Sequence, residues 1–150
     1  STIVNIPEYA AVNQKGDCGV QAILFVTLCR CCGVPARWQS GLFAAPYAID
    51  GHDWAQFYVE PYGWLYADLS FGGSAYRLGN EERRQFYFGN LDPFRMPANL
   101  AFQHEFMPPK KHMRRDPTDN QYGECEYEDH PLLFHEYQCT HTILELEQII

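Results

Sequence analysis

The run from Cys18 to Cys32, bounded by Gly16-Asp17 ahead and by Gly33 and Pro35 behind, most constrains how this chain folds. Val20, Ala22, Ile23, Leu24, Phe25, Val26, Leu28 and Cys29 make it apolar nearly all the way round, with Gln21, Thr27 and Arg30 as interruptions. That pattern predicts a helix buried on most of its faces rather than a surface amphipath. Gly33 suits the position just past the helix end, and Pro35 forbids continuation. Asp17 suits the N-cap, where a side-chain oxygen accepts an N–H of the first turn. Cys18 then stands where the partial positive charge of the helix and its unpaired N–H groups favour a thiolate. The charge of Asp17 would oppose the thiolate if it pointed at the sulfur, so its carboxylate is expected to point away.

Downstream the pattern shortens to strand-like pieces at 36–42, 53–59 and 64–69. Glu60-Pro61-Tyr62-Gly63 has turn composition and predicts an antiparallel hairpin between the last two. Alternation places His52, Trp54, Gln56 and Tyr58 on one face, with Ala55, Phe57 and Val59 on the other. On the return strand Trp64, Tyr66 and Asp68 share a face, and Leu65, Ala67 and Leu69 share its opposite. If the apolar sets meet in the core, His52 and Asp68 lie together near the open end of the hairpin. That is the geometry of a base and the residue that orients it.

The order Gly16-Asp17-Cys18-Gly19, then Gly33-Val34-Pro35-Ala36-Arg37, then His52-Asp53-Trp54, then Trp64-Leu65-Tyr66-Ala67-Asp68 resembles the transglutaminase-like superfamily. The resemblance runs from Gly16 to Gly72 and implies a papain-like α+β fold. In that fold the nucleophile opens a buried helix packed on an antiparallel sheet. Position by position it implies Cys18 as nucleophile, His52 as general base and acid, and Asp68 as the residue that orients the imidazole. The chemistry of the residues agrees: an imidazole can take a thiol proton and return it to a leaving amine, and a carboxylate fixes the tautomer and stabilises the imidazolium. Taken singly, a buried cysteine, a histidine beside a turn and a strand-end aspartate would each read as structural; their joint order is what points to catalysis.

The expected chemistry is thiol-dependent acyl transfer on peptide or glutamine amides through a thioester, with hydrolysis favoured. Amine transfer of the transglutaminase type and a non-catalytic binding domain on the same fold are the alternatives. A second oxyanion donor besides the Cys18 N–H is needed. Gln14, just upstream, is a candidate, although it reads equally well as an exposed loop amide; Trp54 is the aromatic expected beside the nucleophile. Only 17 residues precede Cys18, fewer than the family usually has. The chain lacks an initiator Met, so residues 1–150 are expected to form one catalytic domain of a longer chain with neighbouring domains. Asp53 stands where the family more often has a small residue, and its charge is expected either to raise the imidazole pKa or to face solvent.

An apolar fraction of 46% with 15% aromatics supports an ordinary core and excludes a disordered chain. A net charge of −8 argues against nucleic acid as a partner. A peptide or protein substrate is expected, no apolar run is long enough for a membrane span, and no cofactor or metal is implied. Cys29, Cys32, Cys125 and Cys139 can be drawn as a zinc set, but no second close-spaced pair supports it, and free thiols are favoured. Export, favoured only if a signal has been removed, would permit a Cys125–Cys139 disulfide. Asp116, Asp119, Asn120 and Glu124 do not have the spacing of an EF-hand loop. Beyond Gly72, residues 80–84 suit a helical turn or loop, 99–106 suit a strand, and 137–150 suit a strand or an exit toward a neighbouring domain. Residues 108–129 read as a loop whose basic half pairs with its acidic half.

Overall fold

Caps chosen by short polar side chains set where each helix of this protein begins. The computed structural model describes residues 5–116, 118–119, 121–133 and 135–147. In chain order the elements are α1 Ile6–Asn13, α2 Cys18–Cys31, β1 Ala36–Ala45, β2 Ala48–Val59, β3 Gly63–Ala67, α3 Leu69–Arg77, α4 Glu81–Phe86, β4 Phe88–Gly89 and β5 Arg95–Asn99. Asn5, Asp17, Asp68 and Asn80 cap α1 to α4 by accepting the N–H of Glu8, Val20, Phe71 and Arg83. At the far end of α2, the Gly33 N–H donates to the Arg30 carbonyl and the Val34 N–H to the Cys29 carbonyl. This is the Schellman closure that the left-handed φ of 78° at Gly33 permits.

The strands form one antiparallel sheet in the order β4-β3-β2-β1-β5. Trp38 pairs with Ala55, Gly41 with His52, and Ala55 in turn with Ala67. Alternation therefore sends Ala36, Trp38, Ala55, Phe57 and Ala67 to one face, where Ala22 and Val26 of α2 complete the core. Phe57 stacks on Phe88 at 5.3 Å and meets the edge of Phe25 at 5.7 Å. The opposite face carries His52, Trp54 and Gln56, roofed by Phe71 of α3 and by Tyr87. The α+β architecture, the hairpin at residues 60–63 and both side-chain faces agree with the sequence reading.

Several elements differ from expectation. The strands of the β1–β2 hairpin extend to Ala45 and back from Ala48, because backbone pairing continues beyond the apolar pattern. The later strand is β5, ahead of 99–106, and no strand occurs among the described residues of 137–147; residues 148–150 lie outside the description. The helix α2 is not enclosed on most faces, since Leu28 is 55% exposed. A single sheet can cover only one stripe of a helix, here Gly19, Ala22 and Val26, and α1 and α3 flank the rest incompletely.

Gly41 sits at an irregularity where β1 meets β5; a Cβ there would overlap the Met96 carbonyl and lie 3.0 Å from Pro97 Cα. Gly41→Ala is expected to cost about 1–3 kcal/mol by forcing the β5 backbone away, lowering Tm by several degrees in a thermal melt. Gly73→Ala, in the interior of α3 with only the end of Arg77 nearby at 3.6 Å, should leave Tm unchanged or raise it. Equal losses in both variants would contradict this packing.

Candidate active site

Asp68 leaves β3 at its last turn and immediately caps α3, accepting the Phe71 N–H at 2.9 Å through Oδ1. Its other oxygen, Oδ2, lies 2.8 Å from His52 Nε2 and 2.8 Å from Arg95 Nη1. The Arg95 contact is ionic rather than an aligned hydrogen bond. Arg95 is also held by Asp92 Oδ2 at 2.7 Å and lies over the Phe71 ring at 4.4 Å and the Phe43 ring at 5.1 Å. Asp68 is 1% exposed, and burial alone would raise its pKa. The hydrogen bond and charge of His52, the Phe71 N–H and Arg95 outweigh burial and lower it. The imidazole is thus fixed through Nε2, packed against the Phe71 ring at 5.0 Å, while Nδ1 makes no hydrogen bond among the described residues.

Cys18 opens α2 as expected, and Asp17 turns its carboxylate to the Val20 N–H at 2.9 Å. The thiol, however, donates to Asp53 Oδ2 at 3.6 Å, and no hydrogen bond joins it to His52 among the described residues. Asp53 is 3% exposed. It neither faces solvent nor turns toward the imidazole, because on an extended strand it points to the face opposite His52. Burial, followed by the Asp53 charge, pushes the thiol up to about 12; the Asp53 backbone N–H pulls the other way. The expected low-pKa thiol is therefore corrected for this conformation: desolvation and a neighbouring carboxylate override the helix terminus.

Asp53 is itself raised to about 8, by burial first and then by the charge of Asp119, with Asp17 and Asp116 adding to it. Burial and Asp116 raise Asp119 to about 6. These aspartates arrive on the segment after β5, which also brings the Tyr122 hydroxyl to Asp50 Oδ1 at 2.7 Å and to the Gly51 N–H.

The structure brings His52 and Asp68 together and sets Cys18 beside the next strand position. Trp54 is fully buried on the His52 face, donating from Nε1 to Gln39 Oε1 at 2.7 Å, so it is a core residue and not a wall beside Cys18. Gln14 is exposed as the left-handed C-cap of α1, and no hydrogen bond draws its side chain toward Cys18. Arg95 and the thiol contact of Asp53 escaped the sequence reading. The spacing of Asp92 and Arg95 was a weak signal for a prearranged arginine. All six cysteines are free, Cys125 and Cys139 included. No group of three or more metal-ligating side chains occurs among the described residues, to which Asn120 does not belong. No described helix is long and apolar enough to cross a membrane.

Residues 4–69 match the family model of the transglutaminase-like superfamily. No match to a curated protein or to a solved structure reaches significance. The matched segment spans Cys18, His52 and Asp68, while Arg95 and the segment carrying Asp119 lie beyond it.

Asp53 binds its proton more tightly in the folded chain than in the unfolded one, where its pKa is near 3.8. Its contribution to stability is therefore full below that value and is lost as pH rises through about 8. The slope for one proton is at most about 1.4 kcal/mol per pH unit. Asp68, lowered instead, contributes stability that is lost only on acidification. Thermal melts between pH 5 and pH 8 are expected to show Tm falling with pH in the native chain and a shallower fall in Asp53→Asn. Parallel profiles would contradict the buried proton.

Proposed function

We propose that this chain, a member of the transglutaminase-like superfamily over residues 4–69, is a cysteine-dependent acyl-transfer enzyme that hydrolyses peptide or glutamine amides. The observation that carries the reading is the buried His52–Asp68 pair, 2.8 Å long, with its free ring nitrogen one strand position from the residue that meets Cys18. An imidazole tied to a carboxylate through Nε2 has Nδ1 left for proton transfer, and a thiol at a helix start supplies the nucleophile.

In this reading the thiol turns from Asp53 to His52 Nδ1 and gives up its proton as Sγ attacks the substrate carbonyl carbon. Asp68, with Arg95 behind it, stabilises the imidazolium and keeps the ring in place. The Cys18 N–H, unpaired at the start of α2, is one donor for the oxyanion. Collapse breaks the C–N bond, and His52 returns its proton to the departing amine. Water then attacks the thioester carbonyl as His52 takes its proton; collapse breaks the C–S bond and releases the free acid, and His52 returns that proton to the Cys18 sulfur.

A second reading, a binding domain that has kept the fold without turnover, is favoured by the thiol being held up at about 12 and bonded to Asp53. The test is a peptide amide that is turned over in the presence of a modest excess of primary amine. Mass spectrometry is expected to find free acid as the main product, abolished by Cys18→Ala and slowed by roughly 10²–10⁴-fold in His52→Ala. Predominant amine adduct would select transfer over hydrolysis. Undiminished turnover in Cys18→Ala would refute the mechanism, and no turnover across a peptide library would select the binding domain.

A further inference from the structure

Glycine at residue 19 leaves room for the Asp53 carboxyl at the start of α2. A Cβ there would lie 2.8 Å from Asp53 Oδ2. The carboxyl so admitted spends one oxygen on the Cys18 thiol and leaves Oδ1 buried without a partner. Directly across the β1–β2 ladder stands Ser40, whose Cα is paired with that of Asp53 and whose side chain leaves the sheet on the same face. Ser40 is completely buried, and its hydroxyl also lacks a partner. Side chains directly opposite on antiparallel strands have Cβ atoms about 4.5–5.5 Å apart, within reach of a carboxyl–hydroxyl hydrogen bond after a side-chain rotation. Two buried orphan groups facing each other beside a nucleophile are therefore a second seat for the same carboxyl. A buried polar atom left unpaired costs free energy, so occupying that seat offsets the loss of the thiol contact.

We propose that Asp53 is a positioning residue with two alternative partners, holding the Cys18 thiol protonated in one and, when it turns to Ser40 Oγ, freeing the thiol to meet His52. No covalent bond changes; one hydrogen bond is exchanged for another. The charged and titratable groups acting on Asp53 are Cys18 of α2, its N-cap Asp17, and Asp116 and Asp119 of the segment after β5. Burial first, and then all three of those aspartates, raise its proton affinity. The inference rests on Cys18 being the nucleophile, but its consequence is a property of the thiol and needs no substrate.

The experiment is iodoacetamide alkylation of the whole chain across pH 6–10, read at Cys18 by peptide mass spectrometry so that the other cysteines serve as internal references. Asp53→Asn and Asp53→Ala are expected to alkylate at Cys18 about tenfold faster or more near pH 8, with the profile moved to lower pH, since each unit of thiol pKa changes the thiolate fraction about tenfold. Ser40→Ala removes the second seat and should slow Cys18 several-fold, the opposite of what mere loosening of the fold would do. Circular dichroism and melting establish that each variant is folded, and Asp53→Asn keeps the side-chain shape if the alanine does not fold. Unchanged or slower alkylation in the folded Asp53 variants, or acceleration in Ser40→Ala, overturns the proposal. Because no turnover is measured, these outcomes stay separate from failure of the hydrolase reading.

Discussion

The carboxylate of Asp68 is the interaction on which the site depends. A nearly fully buried anion is tolerable only when it is paired and hydrogen-bonded. Here it receives the Phe71 N–H at the start of α3, the His52 ring and the Arg95 guanidinium. Those contacts couple the end of β3, the middle of β2 and the beginning of β5. One side chain thus fixes where the last helix-bearing half of the chain docks and which nitrogen of His52 remains available. Replacing it would remove a helix cap, an ion pair and the orientation of the imidazole together.

Cys18 is organised by a different rule. Adjacent residues of a strand point to opposite faces, so His52 and Asp53 present an imidazole to one side of β2 and a carboxyl to the other. Cys18 meets the Asp53 carboxyl, on a helix that packs against that face. Which neighbour the thiol meets is decided locally. Burial and the carboxyl favour the neutral thiol, and the Asp53 backbone N–H favours the anion. The imidazole is carried by the residue next to the one that holds the thiol, and burial with the carboxyl prevails in this conformation.

The fold of the first half was legible because its signals are local and mutually consistent. Asp17, Gly33 and Pro35 bound α2 as expected, and period-2 alternation gave both faces of β2 and β3. It also placed His52 beside Asp68. What escaped has a common cause, since it depends on contacts between residues distant in sequence. Nothing in the sequence around Asp53 says that Gly19 admits its carboxyl to Cys18, or that Asp119 lies nearby. Arg95 joins Asp68 only through the pairing of β5 with β1. Trp54, polar at one tip and apolar elsewhere, satisfies its N–H on Gln39 in the core, a partner visible only in the β1–β2 register. The glycines of α3 weaken its helical pattern, and the compensating cap at Asp68 is visible only once β3 ends at Ala67.

The central claim is that Cys18 and His52 act as one unit on an acyl group. It is tested most directly by mixing the protein with an activated peptide ester, quenching in acid within the first turnover and measuring intact and peptide masses. The account predicts a single acyl adduct on Cys18, absent in Cys18→Ala and formed at least about 10²-fold more slowly in His52→Ala. Acylation of Cys18 at the same rate with and without His52, or no adduct on Cys18 at all, would contradict it.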